Sequence, residues 1–88
     1  MKCQINFTKI AFDEFADWAV DNIKIFQRIR DLVESISREP FKGIGKPEPL
    51  KHEFKGCWSR RITDEHRLIY KVSADNILIL SCKGHYDD

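Results

Sequence analysis

Residues 57–82 read Cys57-Trp58-Ser59-Arg60-Arg61-Ile62-Thr63-Asp64-Glu65-His66-Arg67-Leu68-Ile69-Tyr70-Lys71-Val72-Ser73-Ala74-Asp75-Asn76-Ile77-Leu78-Ile79-Leu80-Ser81-Cys82. Two short polar runs, Thr63-Asp64-Glu65 and Ser73-Ala74-Asp75-Asn76, divide this stretch into three strand-like segments. From His66 to Val72 the alternation is clean. Leu68, Tyr70 and Val72 share one face, and Arg67, Ile69 and Lys71 share the other. From Ile77 to Cys82 the run is almost continuously apolar, the pattern of an inner strand. From Cys57 to Thr63, Trp58 and Ile62 face one way, Ser59 and Arg61 the other. Arg60 falls on the Trp58 side, awkward for a cation, which a bulge or an edge position would resolve. Strands joined by such short turns are antiparallel neighbours.

Upstream, Cys3 to Phe7 is a further short strand with Cys3, Ile5 and Phe7 on one side. Thr8 can cap a helix over residues 9–20. In it Phe12, Phe15, Ala16 and Ala19 recur at helical spacing, with Asp13, Glu14, Asp17 and Asp21 largely opposite. Asp21 or Asn22 then caps a second helix. Its apolar stripe is Phe26, Ile29, Val33 and Ile36, widened by Ile25 and Leu32. That helix must stop before Pro40, because the residue before a proline disfavours helical angles. From Pro40 to His52, with all three prolines, a stiff charged loop is expected, neither helix nor regular strand. The order predicts an α+β fold. Two N-terminal helices pack on one face of a mostly antiparallel four- or five-stranded sheet. The opposite face, with Arg61, Arg67 and Lys71, is left open.

The length of 88 residues fits one domain, 1–88. No run of about 18 apolar residues is present, so no membrane span is expected. The start, Met1-Lys2-Cys3-Gln4, lacks an apolar signal region, and the cytoplasm is the default location. Three cysteines, Cys3, Cys57 and Cys82, with no CxxC pair, suit reduced thiols rather than a disulfide scaffold. The net charge of +1 is unevenly spread. Residues 37–71 carry nine basic and five acidic side chains, a net of +4, whereas residues 72–88 carry a net of −2. A basic middle suits an anion-binding face or simply a solvated surface, and charge alone does not separate the two.

Three segments hold candidate chemistry. Glu48 sits between Pro47 and Pro49, which stiffen its backbone; it fits either a held base or a surface turn. Arg67, on the open sheet face, suits a phosphate or a neighbouring carboxylate. His85-Tyr86 follow the last strand, where an aromatic beside a histidine either stacks on a base or is merely exposed. Zinc is the rival use of His52, His66, His85, Cys57 and Cys82, but Cys82-Lys83-Gly84-His85 has no second pair to complete it. No metal and no cofactor are therefore expected.

Three motifs and a terminal pair then carry a resemblance. They are Gly45-Lys46-Pro47-Glu48-Pro49-Leu50-Lys51-His52, Gly56-Cys57-Trp58-Ser59-Arg60-Arg61-Ile62-Thr63, Glu65-His66-Arg67-Leu68-Ile69-Tyr70, and His85-Tyr86. In order and spacing they resemble the YoeB/Txe family of the RelE-like superfamily of type II toxin–antitoxin systems. The resemblance implies a RelE-like two-layer fold and a ribosome-dependent, metal-independent messenger-RNA endonuclease that cuts in the ribosomal A site. It implies Glu48 as general base, Arg67 as transition-state stabiliser and His85 as general acid. Lys51 and Arg61 would bind the phosphate region, with Lys46 beside them, and Tyr86 would position the substrate. It also implies a homodimer, a cognate antitoxin of YefM/Phd type, and the ribosome and messenger RNA as partners. The chain departs from the family pattern at Lys83, Gly84 and the Asp87-Asp88 extension, none of which removes a catalytic group. Two alternatives are a ParE-like toxin acting on gyrase and a non-catalytic RNA-binding module.

Overall fold

The computed structural model describes residues 2–84. Seven elements follow in order: β1 (Gln4–Phe7), α1 (Lys9–Asp21), α2 (Ile23–Arg38), β2 (Glu48–Pro49), β3 (Cys57–Arg61), β4 (Arg67–Ser73) and β5 (Asn76–Ser81). A single 3-10 turn, His52–Phe54, lies between β2 and β3. The five strands form one sheet in the order β1-β5-β4-β3-β2. All neighbours are antiparallel except β1 and β5, which run parallel. The two helices cover one face. This is the expected α+β architecture, with five strands.

Side chains at the helix ends explain where the helices begin. The Thr8 hydroxyl accepts the Ala11 amide (3.0 Å) and donates to the Leu80 carbonyl (3.0 Å), tying α1 to β5. Asn22 serves both helices. Its backbone N–H closes α1 on the Trp18 carbonyl, and its Oδ1 accepts the amides of Lys24 and Ile25 to open α2. The core joins Ile29, Leu32 and Ile36 of α2 to Leu68, Tyr70, Ile77 and Ile79 of the sheet, all fully buried. Phe7, Phe15 and Phe26 stack in sequence beside it, with ring centroids 5.4 and 4.5 Å apart.

The structure corrects four expectations. In α1 the buried positions are Ala11 and Trp18, with Phe15 half-buried, whereas Phe12 is 57% exposed and Ala16 and Ala19 face solvent. The helix is rotated by about one residue from the expected stripe. Trp18 decides the rotation, because its ring packs in the core while its Nε1 donates to the Cys82 carbonyl (2.9 Å). Glu14, expected on the solvent side, accepts the Cys82 amide (2.8 Å). Second, the loop from Pro40 to His52 contains β2, a two-residue strand paired to β3. Third, Arg60 is resolved by neither bulge nor edge. Its strand is internal, and the β3–β4 register runs unbroken from Cys57 opposite Lys71 to Arg61 opposite Arg67. The irregularity lies between β4 and β5, at Ile69/Tyr70. Fourth, the face opposite the helices is only partly open: Arg61 and Lys71 are exposed, but Ile69 between them is 1% exposed.

Candidate functional site

One buried cation organises the site's surroundings. The Arg60 side chain enters the helix-facing layer with no exposure and forms no ion pair among the described residues. Its Nε donates to Tyr70 Oη (3.1 Å). Its Nη1 donates to Ser35 Oγ (2.8 Å) and to the Ile44 carbonyl (3.0 Å). Its Nη2 donates to the carbonyls of Glu39 and Lys42, both at 2.8 Å. Tyr70 Oη in turn donates to the Pro40 carbonyl (2.6 Å). Five acceptors satisfy the five N–H donors of the guanidinium. The loop after α2 is thereby fastened to the sheet by its own carbonyls.

The chain then delivers Lys46 and Glu48 to the sheet edge. Arg61 donates its amide to the Gly45 carbonyl (2.7 Å). Gly45 has φ +81°, and a Cβ there would stand 2.7 Å from Leu32 Cδ2. The close approach of loop to helix at this point therefore requires glycine. Glu48 pairs directly with Ser59, and pleating puts both on the side away from the helices.

Lys46, Glu48, Ser59, Arg61 and Arg67 line one cleft of about 50 Å³ on that side. Three cations thus share a recess with one carboxylate, a setting that attracts an anion while leaving a base within it. The Glu48 carboxylate makes no hydrogen bond or ion pair with another described residue. Among the described residues the Arg67 guanidinium spends only one of its nitrogens. Its Nη1 donates to the carbonyls of Thr63 (2.6 Å), His66 (3.1 Å) and Asp64 (3.3 Å). Among the described residues Arg67 therefore pairs with carbonyls, not with a carboxylate. Its Nε and Nη2 have no partner among the described residues.

Of the candidates read from sequence, Lys46, Glu48, Arg61 and Arg67 come together here. Lys51 is exposed at the start of the 3-10 turn and is not among the described residues that line the cleft. His85 and Tyr86 lie outside the described residues. Two residues were given no part in this site from sequence: Ser59, and His66, which was weighed only as a zinc ligand. Ser59 lines the cleft, and its alternation with Arg61 was the available signal. His66 accepts the Gly84 amide on Nδ1 (2.8 Å), a contact no spacing announces. A larger hollow of about 860 Å³ lies elsewhere, with Phe7, Phe15 and Val33 among its lining. One of its cations, Arg38, is bound to Glu34 at 3.0 Å. Cys82 is buried, and burial, reinforced by the Glu14 carboxylate, pushes its thiol up to about 12. It is a core residue, not a nucleophile.

Compared with known proteins, the chain falls in the class of toxins from bacterial type II toxin–antitoxin systems. Residues 7–86 match the model for the YoeB-like toxin of such systems. A curated relative, the toxin YoeB of Streptomyces coelicolor, is 46% identical over 83 residues, covering 94% of this chain and 99% of that one. The structure of the YoeB dimer from Staphylococcus aureus superposes with a TM-score of 0.89 at 41% identity, covering 98% of this chain and 100% of that one. A heterotetrameric YoeB-YefM toxin-antitoxin complex from the same organism gives 0.87 at 41% identity, with the same coverage. The chain belongs to the YoeB family of toxins.

Proposed function

We propose that this toxin is a ribosome-dependent, metal-independent endoribonuclease that cuts messenger RNA in the ribosomal A site, in the cytoplasm. What carries the reading is one observation: a single carboxylate, Glu48, shares a small recess with Lys46, Arg61 and Arg67. RNA brings its own nucleophile, the 2′-OH. Glu48 takes the 2′ proton as the oxygen attacks the adjacent phosphorus. Arg67 offers its unspent Nε and Nη2 to the charge that builds on the phosphorane, with Lys46, Lys51 and Arg61 adding positive potential. His85 gives its proton to the departing 5′-oxygen, leaving a cyclic phosphate and a free 5′-hydroxyl. Tyr86 positions the substrate beside it.

The partners follow the relatives. The Staphylococcus aureus toxin is seen as a dimer and in complex with YefM. We assign this chain the same assembly: a homodimer that a YefM/Phd-type antitoxin holds inactive.

The test is expression in a bacterial host with mapping of message ends. Wild type should produce cuts within translated codons. Glu48→Ala and His85→Ala should each reduce them by about 10²- to 10⁴-fold, the usual contribution of one acid or base group. Undiminished cutting by both variants would overturn the assignment. Arrested replication without message cleavage would point instead to gyrase.

A further inference from the structure

The segment Cys82–Gly84 leads straight into the proposed general acid, and each of its three residues is held by the fold. Trp18 Nε1 donates to the Cys82 carbonyl (2.9 Å), and Glu14 accepts the Cys82 amide (2.8 Å). The Lys83 ammonium lies 5.5 Å from the centroid of the Trp18 ring. Gly84 is gripped on both sides of its peptide unit: Arg67 donates its amide to the Gly84 carbonyl (2.8 Å), and the Gly84 amide donates to His66 Nδ1 (2.8 Å). Gly84 itself has φ +80°, and a Cβ there would meet no described residue within 4 Å, so among the described residues it is the backbone angle that favours glycine.

His66 is fixed in its turn. Its amide donates to Thr63 Oγ1 (3.1 Å), its carbonyl accepts from Ile62 and Thr63, and its ring meets Trp18 edge-on with centroids 4.9 Å apart. An imidazole nitrogen that accepts an N–H carries a lone pair, so the ring proton must sit on Nε2. His66 is adjacent to Arg67, whose own amide holds the other end of Gly84.

We infer that His66 is a positioning residue of the cleavage reaction: its Nδ1 lone pair fixes Gly84, and through Gly84 the point from which the backbone of His85 departs. The inference rests on the nuclease reading above, in which His85 donates the final proton. A proton donor acts only from the right place, and a displacement of about 1 Å from a reacting atom costs on the order of 10²-fold in rate.

Side-chain geometry supplies the test. The amide oxygen of asparagine stands as many bonds from Cα as Nδ1 of histidine. The amide of glutamine reaches the Nε2 position instead. Message cleavage on programmed ribosomes under single-turnover conditions should fall on the order of 10²-fold in His66→Ala and His66→Gln. It should be restored towards wild type in His66→Asn. Toxin–ribosome affinity should be unchanged in all three, since the loss is in the chemical step. Nitrogen-15 spectra of the free protein should show His66 with its proton on Nε2 at neutral pH. The inference fails if His66→Asn is as impaired as His66→Gln, if His66→Ala cuts like wild type, or if Nδ1 carries the proton. A wild-type protein that cuts no message refutes the nuclease reading and takes this inference with it. A cutting wild type with an equally active His66→Ala refutes the inference alone.

Discussion

A guanidinium withdrawn from water without a carboxylate is costly unless every donor finds an acceptor. Arg60 meets that condition with four acceptors from the segment around the end of α2 and one from Tyr70. Arg60→Met keeps much of the stem's volume and deletes the donors. The carbonyls of Glu39, Lys42 and Ile44 then lose their partners, as does Ser35 Oγ. Each buried acceptor left unpaired costs roughly 1–3 kcal/mol, and the loop can turn some of them to water. A loss of about 2–4 kcal/mol is therefore expected, read as a lower urea midpoint with an unchanged slope. An unshifted midpoint would mean that the clamp adds nothing. Alternation in the sequence put Arg60 on the Trp58 side correctly. The reason it can sit there was not legible, because three of its five partners are backbone carbonyls of the unpatterned segment after α2, and no side chain advertises a carbonyl. The same holds for Arg67, whose Nη1 partners are all carbonyls.

At the scale of elements, legibility tracked periodicity. α2 was readable because Ile29, Leu32 and Ile36 repeat at helical spacing and are all buried. β4 was readable from its alternation and β5 from its nearly continuous apolar run, each bounded by turn residues. α1 was placed correctly but rotated wrongly, since its small and aromatic residues fit two stripes and only the Trp18 contact to Cys82 chooses between them. β2 was invisible for a different reason: two residues have no period, and only pairing with β3 makes them a strand. The junction between helices carries its own prediction. Asn22→Ala removes the acceptor for two amides of α2 while leaving the backbone closure of α1. A lost cap of this kind costs about 1 kcal/mol. For a domain of this size that lowers the thermal midpoint by about 4–8 °C. Asn22→Asp should hold the midpoint near wild type, because aspartate caps as well as asparagine. Equal melting of Asn22→Ala and wild type would remove Asn22 from the account of helix initiation.

Across the whole molecule, the basic stretch 37–71 becomes a local feature rather than a general surface charge, because folding gathers Lys46, Arg61 and Arg67 around Glu48. Composition exposed the excess of positive charge, but only the sheet register shows which cations meet. The interior that supports this arrangement has an alkaline weakness. Cys82 is fully buried, and its thiol is pushed up to about 12, first by burial and then by Glu14. The phenol of Tyr70 is also raised by burial, with Arg60 pulling the other way. In the unfolded chain a thiol ionises at about 8.5. Above that pH the unfolded state sheds a proton that the folded state keeps, so stability falls as pH rises. The contribution is intact below about pH 8 and is lost progressively as pH rises towards about 12. Urea midpoints of wild type should therefore drop more steeply between pH 8 and pH 10 than those of Cys82→Ala. The variant starts lower because of the void it leaves, but it lacks the titrating thiol. Thiol labelling of the native protein at pH 8 should follow the same logic, with the half-buried Cys3 and Cys57 reacting and Cys82 reacting only once urea unfolds the chain. Parallel pH slopes for wild type and Cys82→Ala, or prompt labelling of Cys82 in the folded state, would show that the region joining β5 to α1 opens far more readily than its contacts imply.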